Sequence, residues 1–150
     1  MGYAVSDRGA CHLRATFYKP ELSGMIDPDA IEGKAALFVD FEDRLTLFDT
    51  LILCRFYRDL YPWESLCEVV EGLTGLRVDT ADLKAVSARI SDTIRNFNIQ
   101  EGLRPEDDRL PERLLKNALK TGHRITEAEL EKMVSEYYHL RGWDDKGYPQ

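Results

Sequence analysis

The 150-residue chain is of single-domain length. At 43% hydrophobic and 31% charged residues it can bury roughly two-thirds of its unfolded surface around one core. Its net charge of -7 is dispersed along the length, which reads as solubility and argues against nucleic acid as a partner. No apolar run approaches a membrane span and residues 1–9 lack the order of a secretion signal, so a cytoplasmic protein with no membrane partner is expected.

In chain order, the first connection is the turn-rich segment Lys19 to Asp27. Between Pro28 and Arg58, Ile31, Ala35, Phe38, Val39 and Leu45 have helical spacing. Leu47 to Phe56 is then apolar almost throughout and is expected to be buried on most sides. Pro62 suits the first turn of a helix whose Leu66, Val69, Val70 and Leu73 face inward and which Gly75 stops. From Asp79 onward, Leu83, Val86, Ile90, Ile94 and Phe97 recur at steps of three and four, with Asp79 or Thr80 as N-cap. The charged segment Glu101 to Pro111 lacks the ligand pattern of a calcium loop and reads as a solvated connection. A helix is predicted from Pro111 to Leu119, ended by Gly122, and another from Thr126. There Thr126 and Glu129 have capping-box spacing, and Leu130, Met133, Val134, Tyr137 and Tyr138 mark one face. Trp143 to Gln150 has the composition of a loose tail. With no period-two alternation, the predicted fold class is all-α: one irregular multi-helix domain over residues 1–150.

Chemistry has few places to reside. Cys11, Cys54 and Cys67 are odd in number and widely spaced, which fits a reducing compartment rather than a disulfide framework, and no C-x-x-C pair is present. Asp49 and Cys54 bracket Asp49-Thr50-Leu51-Ile52-Leu53-Cys54, placing an acid and a thiol in apolar surroundings. A carboxylate there needs donors, which an aminopyrimidine ring, an arginine or a helix N-terminus can supply. The plainer reading makes Asp49 a helix cap and Cys54 a small core residue. In Asp7-Arg8-Gly9-Ala10-Cys11-His12-Leu13-Arg14, adjacent residues point different ways, so Cys11 and His12 are not expected to act as a nucleophile and base pair. His12 alone suits proton transfer near neutral pH, or a structural hydrogen bond to backbone. His123 and His139 read as surface or core-edge residues.

Three segments together carry a more specific signal: Ser6 to Arg14, Asp49 to Cys54, and Tyr137-Tyr138-His139-Leu140-Arg141-Gly142-Trp143-Asp144. In this order, with Phe97 to Gly102 and Asp107 to Pro111 between them, they resemble the C-terminal region of the aldehyde ferredoxin oxidoreductase family. The resemblance implies a C-terminal fragment of a larger multidomain enzyme whose N-terminal cofactor-cradling domain lies outside this sequence. It implies oxidation of a small aldehyde to a carboxylic acid at a tungsten- or molybdenum-bis-pterin centre, with a [4Fe-4S] cluster passing electrons to ferredoxin. Asp49 matches the family's pterin-binding aspartate, Cys54 its cluster-ligating cysteine, Leu53 the leucine of the same motif, and His12 the histidine near the metal. Ile52 departs from the pattern by standing where the family has glycine. Both cofactors are expected only in the full-length enzyme, so the isolated chain is expected to be inactive. The parent enzyme is the expected partner, and a homo-oligomer is compatible. Two other readings are a family member acting on another substrate, such as an aromatic acyl-thioester reductase subunit, and a cofactor-free helical interaction module.

Overall fold

The structure is a computed structural model that describes residues 1–116, 122 and 124–150. Its helices are α1 (Gly2–Val5), α2 (Tyr18–Leu22), α3 (Lys34–Thr50), α4 (Trp63–Thr74), α5 (Thr80–Gln100), α6 (Glu112–Lys116) and α7 (Glu127–Arg141), with 3-10 turns at Arg55–Leu60 and Pro105–Asp107. The architecture is helical, with no strand among the described residues, as the sequence predicts. Residues 117–119 of the helix predicted from Pro111, and His123, lie outside the described residues.

Local signals set several of the helix ends. Asp79 caps α5 by accepting from the Asp82 N–H at 2.9 Å, while the Asp82 carboxylate accepts from the Asp79 N–H at 3.0 Å. Thr126 and Glu129 make the same reciprocal box at α7. Pro62 and Gly75 flank α4, with Gly75 in the left-handed region at φ 72°.

The long α3 packs against both α7 and α5. Two cores result. The first joins Val5, Phe17, Ala35, Phe38, Leu130, Met133, Tyr137 and Trp143; the second joins Leu45, Phe48, Trp63, Leu66 and Leu83. Full burial of a side chain such as Phe38 or Leu66 stabilises by about 1.5–3 kcal/mol. All five predicted apolar positions of α7 are buried. On α4, contact with the second core stops at Val70, so Leu73 is exposed rather than inward, and Phe97 on α5 is likewise exposed.

Three further expectations are corrected. The run Leu47 to Phe56 is buried only as far as Phe48, because α3 ends at Thr50 and the chain turns out of the core, leaving Ile52 92% and Phe56 90% exposed. The acidic connection after α5 is not wholly solvated. Asp108 turns inward to accept from Arg95 Nη1 at 3.1 Å and Nη2 at 2.6 Å, and from the Tyr138 hydroxyl. Nor is the C-terminal segment loose. The Trp143 indole donates to Asp92 at 2.6 Å and its ring meets Tyr137 edge-on, while the Gly147 carbonyl accepts from Arg95 Nε at 2.9 Å.

At the α3–α7 contact the Arg141 guanidinium, almost completely buried, reaches Asp43 and Glu42 at 2.6 Å each. The Tyr137 hydroxyl donates to the same Glu42 at 2.8 Å. Burial pushes the Asp43 carboxyl up to about 6, overcoming the pull of Arg141. One cation thus holds two carboxylates that would otherwise be intolerable in the interior.

Candidate functional site

The carboxyl end of α3 is where the sequence-derived residues gather. The helix closes on a Schellman motif: the Leu53 N–H returns to the Phe48 carbonyl at 2.8 Å and the Ile52 N–H to the Asp49 carbonyl at 3.2 Å. The motif requires a left-handed residue, and Ile52 supplies it at φ 58°. At the equivalent position of the same motif after α5 and α7 this chain uses Gly102 and Gly142. Leu53 is partly buried against the second core, beside Phe48. Cys54 then opens the 3-10 turn and is exposed.

Asp49 occupies the last turn of α3, where a carboxylate opposes the helix dipole, so it is no helix N-cap. Its donors are two arginines. Arg14 Nη1 reaches Oδ2 at 2.5 Å; Arg55 Nε reaches Oδ1 at 2.9 Å and Arg55 Nη2 reaches Oδ2. Partial burial acts to raise the Asp49 carboxyl, but the Arg55 hydrogen bonds and the charges of Arg55, Arg14 and Arg8 outweigh it and hold the group below the usual aspartate value. The side chain remains 41% exposed and is an ionised acceptor, not a buried one.

The second sequence segment forms a strap laid across this helix end. After α1, the Gly9 N–H closes a turn onto the Ser6 carbonyl at 3.1 Å. Arg14 is shared between Asp49 and Asp7, the latter at 2.8 Å from Nη2. Arg55 Nη1 donates to the Leu13 carbonyl and lies 3.4 Å from that of Arg14. His12, between these anchors, is exposed, with its ring edge-on to Tyr18 at 5.7 Å. The structure therefore brings the His12 strap against the Asp49–Cys54 segment through arginine bonds.

Cys11 has a local role unread in the sequence. Its sulfur accepts from Arg8 Nη2 at 3.1 Å, Arg8 Nε at 3.3 Å and the Leu13 N–H at 3.4 Å. Slight burial acts to raise the thiol, but those donors lower it, so Cys11 is the more thiolate-like for its setting. Arg55 was absent from the sequence-derived site. Its position beside Cys54 was visible, but its partners lie 6, 41 and 42 residues away along the chain. Cys67 packs at the edge of the second core, and His139 is an exposed residue of α7.

Cys54 offers one exposed thiol of the four that a [4Fe-4S] cluster takes, and no group of three or more metal-ligating side chains occurs among the described residues. Asp49 is ionised, and its Oδ1 accepts one protein bond, which leaves room for a further donor such as a ring N–H. The residues present therefore fit a share of a larger cofactor site.

The comparisons agree with this partial character. A family model described as aldehyde ferredoxin oxidoreductase, domains 2 & 3, matches residues 1–150. The tungsten-containing aldehyde ferredoxin oxidoreductase of Pyrococcus furiosus is 31% identical over 98% of this chain and 25% of its own length. The enzyme of the same description from Thermococcus kodakarensis gives the same three figures. The chain thus spans about a quarter of the length of the curated relatives it matches. Among solved structures, the BamBC active-site complex of benzoyl coenzyme A reductase, in complex with 1,5-dienoyl-CoA, has a TM-score of 0.67. At 22% identity, covering 84% of this chain and 19% of that one, the likeness is one of fold.

Proposed function

This chain belongs to the aldehyde ferredoxin oxidoreductase family, and we propose that residues 1–150 are the C-terminal helical, cofactor-facing region of a longer oxidoreductase. The reaction we assign to that enzyme is oxidation of a small aldehyde to a carboxylic acid, with water as oxygen source and ferredoxin as electron acceptor. The observation that carries the reading is one open helix end presenting an arginine-held anionic Asp49, an exposed Cys54 and the strap bearing His12.

In this reading Asp49 accepts hydrogen bonds from a pterin, Cys54 is one thiolate ligand of a [4Fe-4S] cluster, and Leu53 buttresses the turn between them. A pterin-held metal and a cluster supply two-electron oxidation and outward electron transfer. Tungsten is preferred over molybdenum because the relatives at 31% identity are described as tungsten-containing. His12 is exposed and takes up or returns a proton as aldehyde and water become carboxylate. Ile52 is exposed beside them in the sequence, so a cofactor approaching there meets a sec-butyl side chain where glycine would offer bare backbone. The likeness to benzoyl coenzyme A reductase concerns fold and does not favour a thioester substrate.

The test is metal content in the anaerobically purified full-length protein, native against Cys54→Ala. The native protein should carry iron and tungsten and reduce ferredoxin when given an aldehyde, and the variant should lose iron. A well-folded native protein without metal would replace this reading with the cofactor-free interaction module.

A further inference from the structure

We infer that Arg55 is a positioning residue for this site, fixing the His12 strap in register with Asp49 and Cys54. The inference rests on the cofactor-facing reading above, but its geometry belongs to this chain alone. Arg55 directly follows Cys54 in the chain, and Leu13 directly follows His12. The Arg55 guanidinium spans both segments: Nε and Nη2 grip the two Asp49 oxygens, and Nη1 grips the Leu13 carbonyl. It is mostly buried at 22% exposure, and its own carbonyl is anchored by Arg58 Nη1 at 2.6 Å. The three residues that the reading needs side by side are thereby tied through one side chain.

The type of residue matters. A guanidinium presents five donors in a planar fork, so it can hold a carboxylate by two edges and still reach a third acceptor. A lysine ammonium is a point charge on a flexible stem, able to neutralise Asp49 but not to span the carboxylate and the Leu13 carbonyl together. Arg14 alone does not replace it, because that guanidinium is divided between Asp49 and Asp7. Without Arg55 the strap keeps the Arg14 tie and its local bonds at Cys11 and from the Thr16 hydroxyl, but loses the bonds that join its Leu13 and Arg14 carbonyls to the Asp49–Cys54 segment.

Hydrogen exchange followed by mass spectrometry on the full-length protein tests this, comparing native, Arg55→Met and Arg55→Lys. In Arg55→Met the peptide covering residues 10–16 should exchange at least about tenfold faster, the factor lost with one charge-assisted hydrogen bond. Peptides of α5 should be unchanged, which separates loss of the tie from loss of the fold, and Arg55→Lys should not restore protection. In aldehyde oxidation kcat should fall with little change in KM, because misplacing His12 affects the proton step more than substrate entry. Unchanged exchange at residues 10–16, or faster exchange throughout the protein, would overturn the assignment. Loss of iron in Arg55→Met with the strap still protected would also overturn it, by placing Arg55 at the cluster instead. A native protein without iron would defeat the proposed function, while the exchange comparison would still decide whether Arg55 holds the strap.

Discussion

Replacing Ile52 with glycine should stabilise this chain, although it removes a large apolar side chain. Ile52 holds φ 58°, a region where an L-residue costs about 1–2 kcal/mol because Cβ crowds the carbonyl, with a β-branched residue among the worst placed. At 92% exposure its side chain contributes almost no burial to offset that cost. Glycine relieves the crowding and adds about 0.4–1 kcal/mol of unfolded-chain entropy to be overcome. The net expectation is a gain of about 0.5–1 kcal/mol, or a rise of about 1 to 4 °C in Tm for a chain of this size. Equilibrium urea unfolding should show a higher midpoint at unchanged slope. Gly142→Ala calibrates the effect: its φ is 71° and an added Cβ would meet nothing within 4 Å, so it should lose about 1 kcal/mol through backbone alone. A neutral or destabilised Ile52→Gly beside a destabilised Gly142→Ala would refute the reasoning, since Ile52 would then hold contacts that outweigh its backbone cost.

Gly147→Ala should be far more damaging than Gly142→Ala, by roughly 3 kcal/mol in the same unfolding assay, because its Cβ would fall 2.6 Å from both Tyr138 Cζ and Arg95 Nη2 at φ 74°. Asp43 should give stability an unusual pH slope. Its folded value of about 6 lies above the ordinary 3.8, so its contribution is fully present below 3.8 and is lost as pH rises through about 6, by at most about 3 kcal/mol. Asp43→Asn should flatten that slope between pH 4 and 7, and urea midpoints that keep the native slope would sink the assignment.

Much of the helical frame was legible in residue order, because caps and helical periodicity are local properties. The Asp79 and Thr126 caps, the Gly75 stop and the buried face of α7 all follow from residues within a few positions of one another. The family resemblance was equally a matter of order, since its segments are read along the chain. What periodicity could not fix was which side of an apolar stretch finds a partner. Leu73 and Phe97 have the right spacing and no cover, and Leu47 to Phe56 leaves the core once α3 ends.

The candidate site divides the same way. Asp49, Cys54 and His12 could be singled out from the sequence, but their meeting could not, because it depends on side chains reaching across distant segments. Arg14 meets Asp49 across 35 positions, and Arg55 meets Leu13 across 42. The ordering of the C-terminal segment has the same origin: Trp143 and Gly147 bond Asp92 and Arg95 on α5, 51 and 52 positions away along the chain. The sequence by itself determined the longer helices α4, α5 and α7, the caps of α5 and α7, and the family. Only the tertiary structure decided which charges are paired and which apolar faces stay open, and it also turned part of the Lys19–Asp27 connection into α2. The reason is that helix signals act within a turn or two, whereas burial and ion pairing depend on which segments the folded chain brings together.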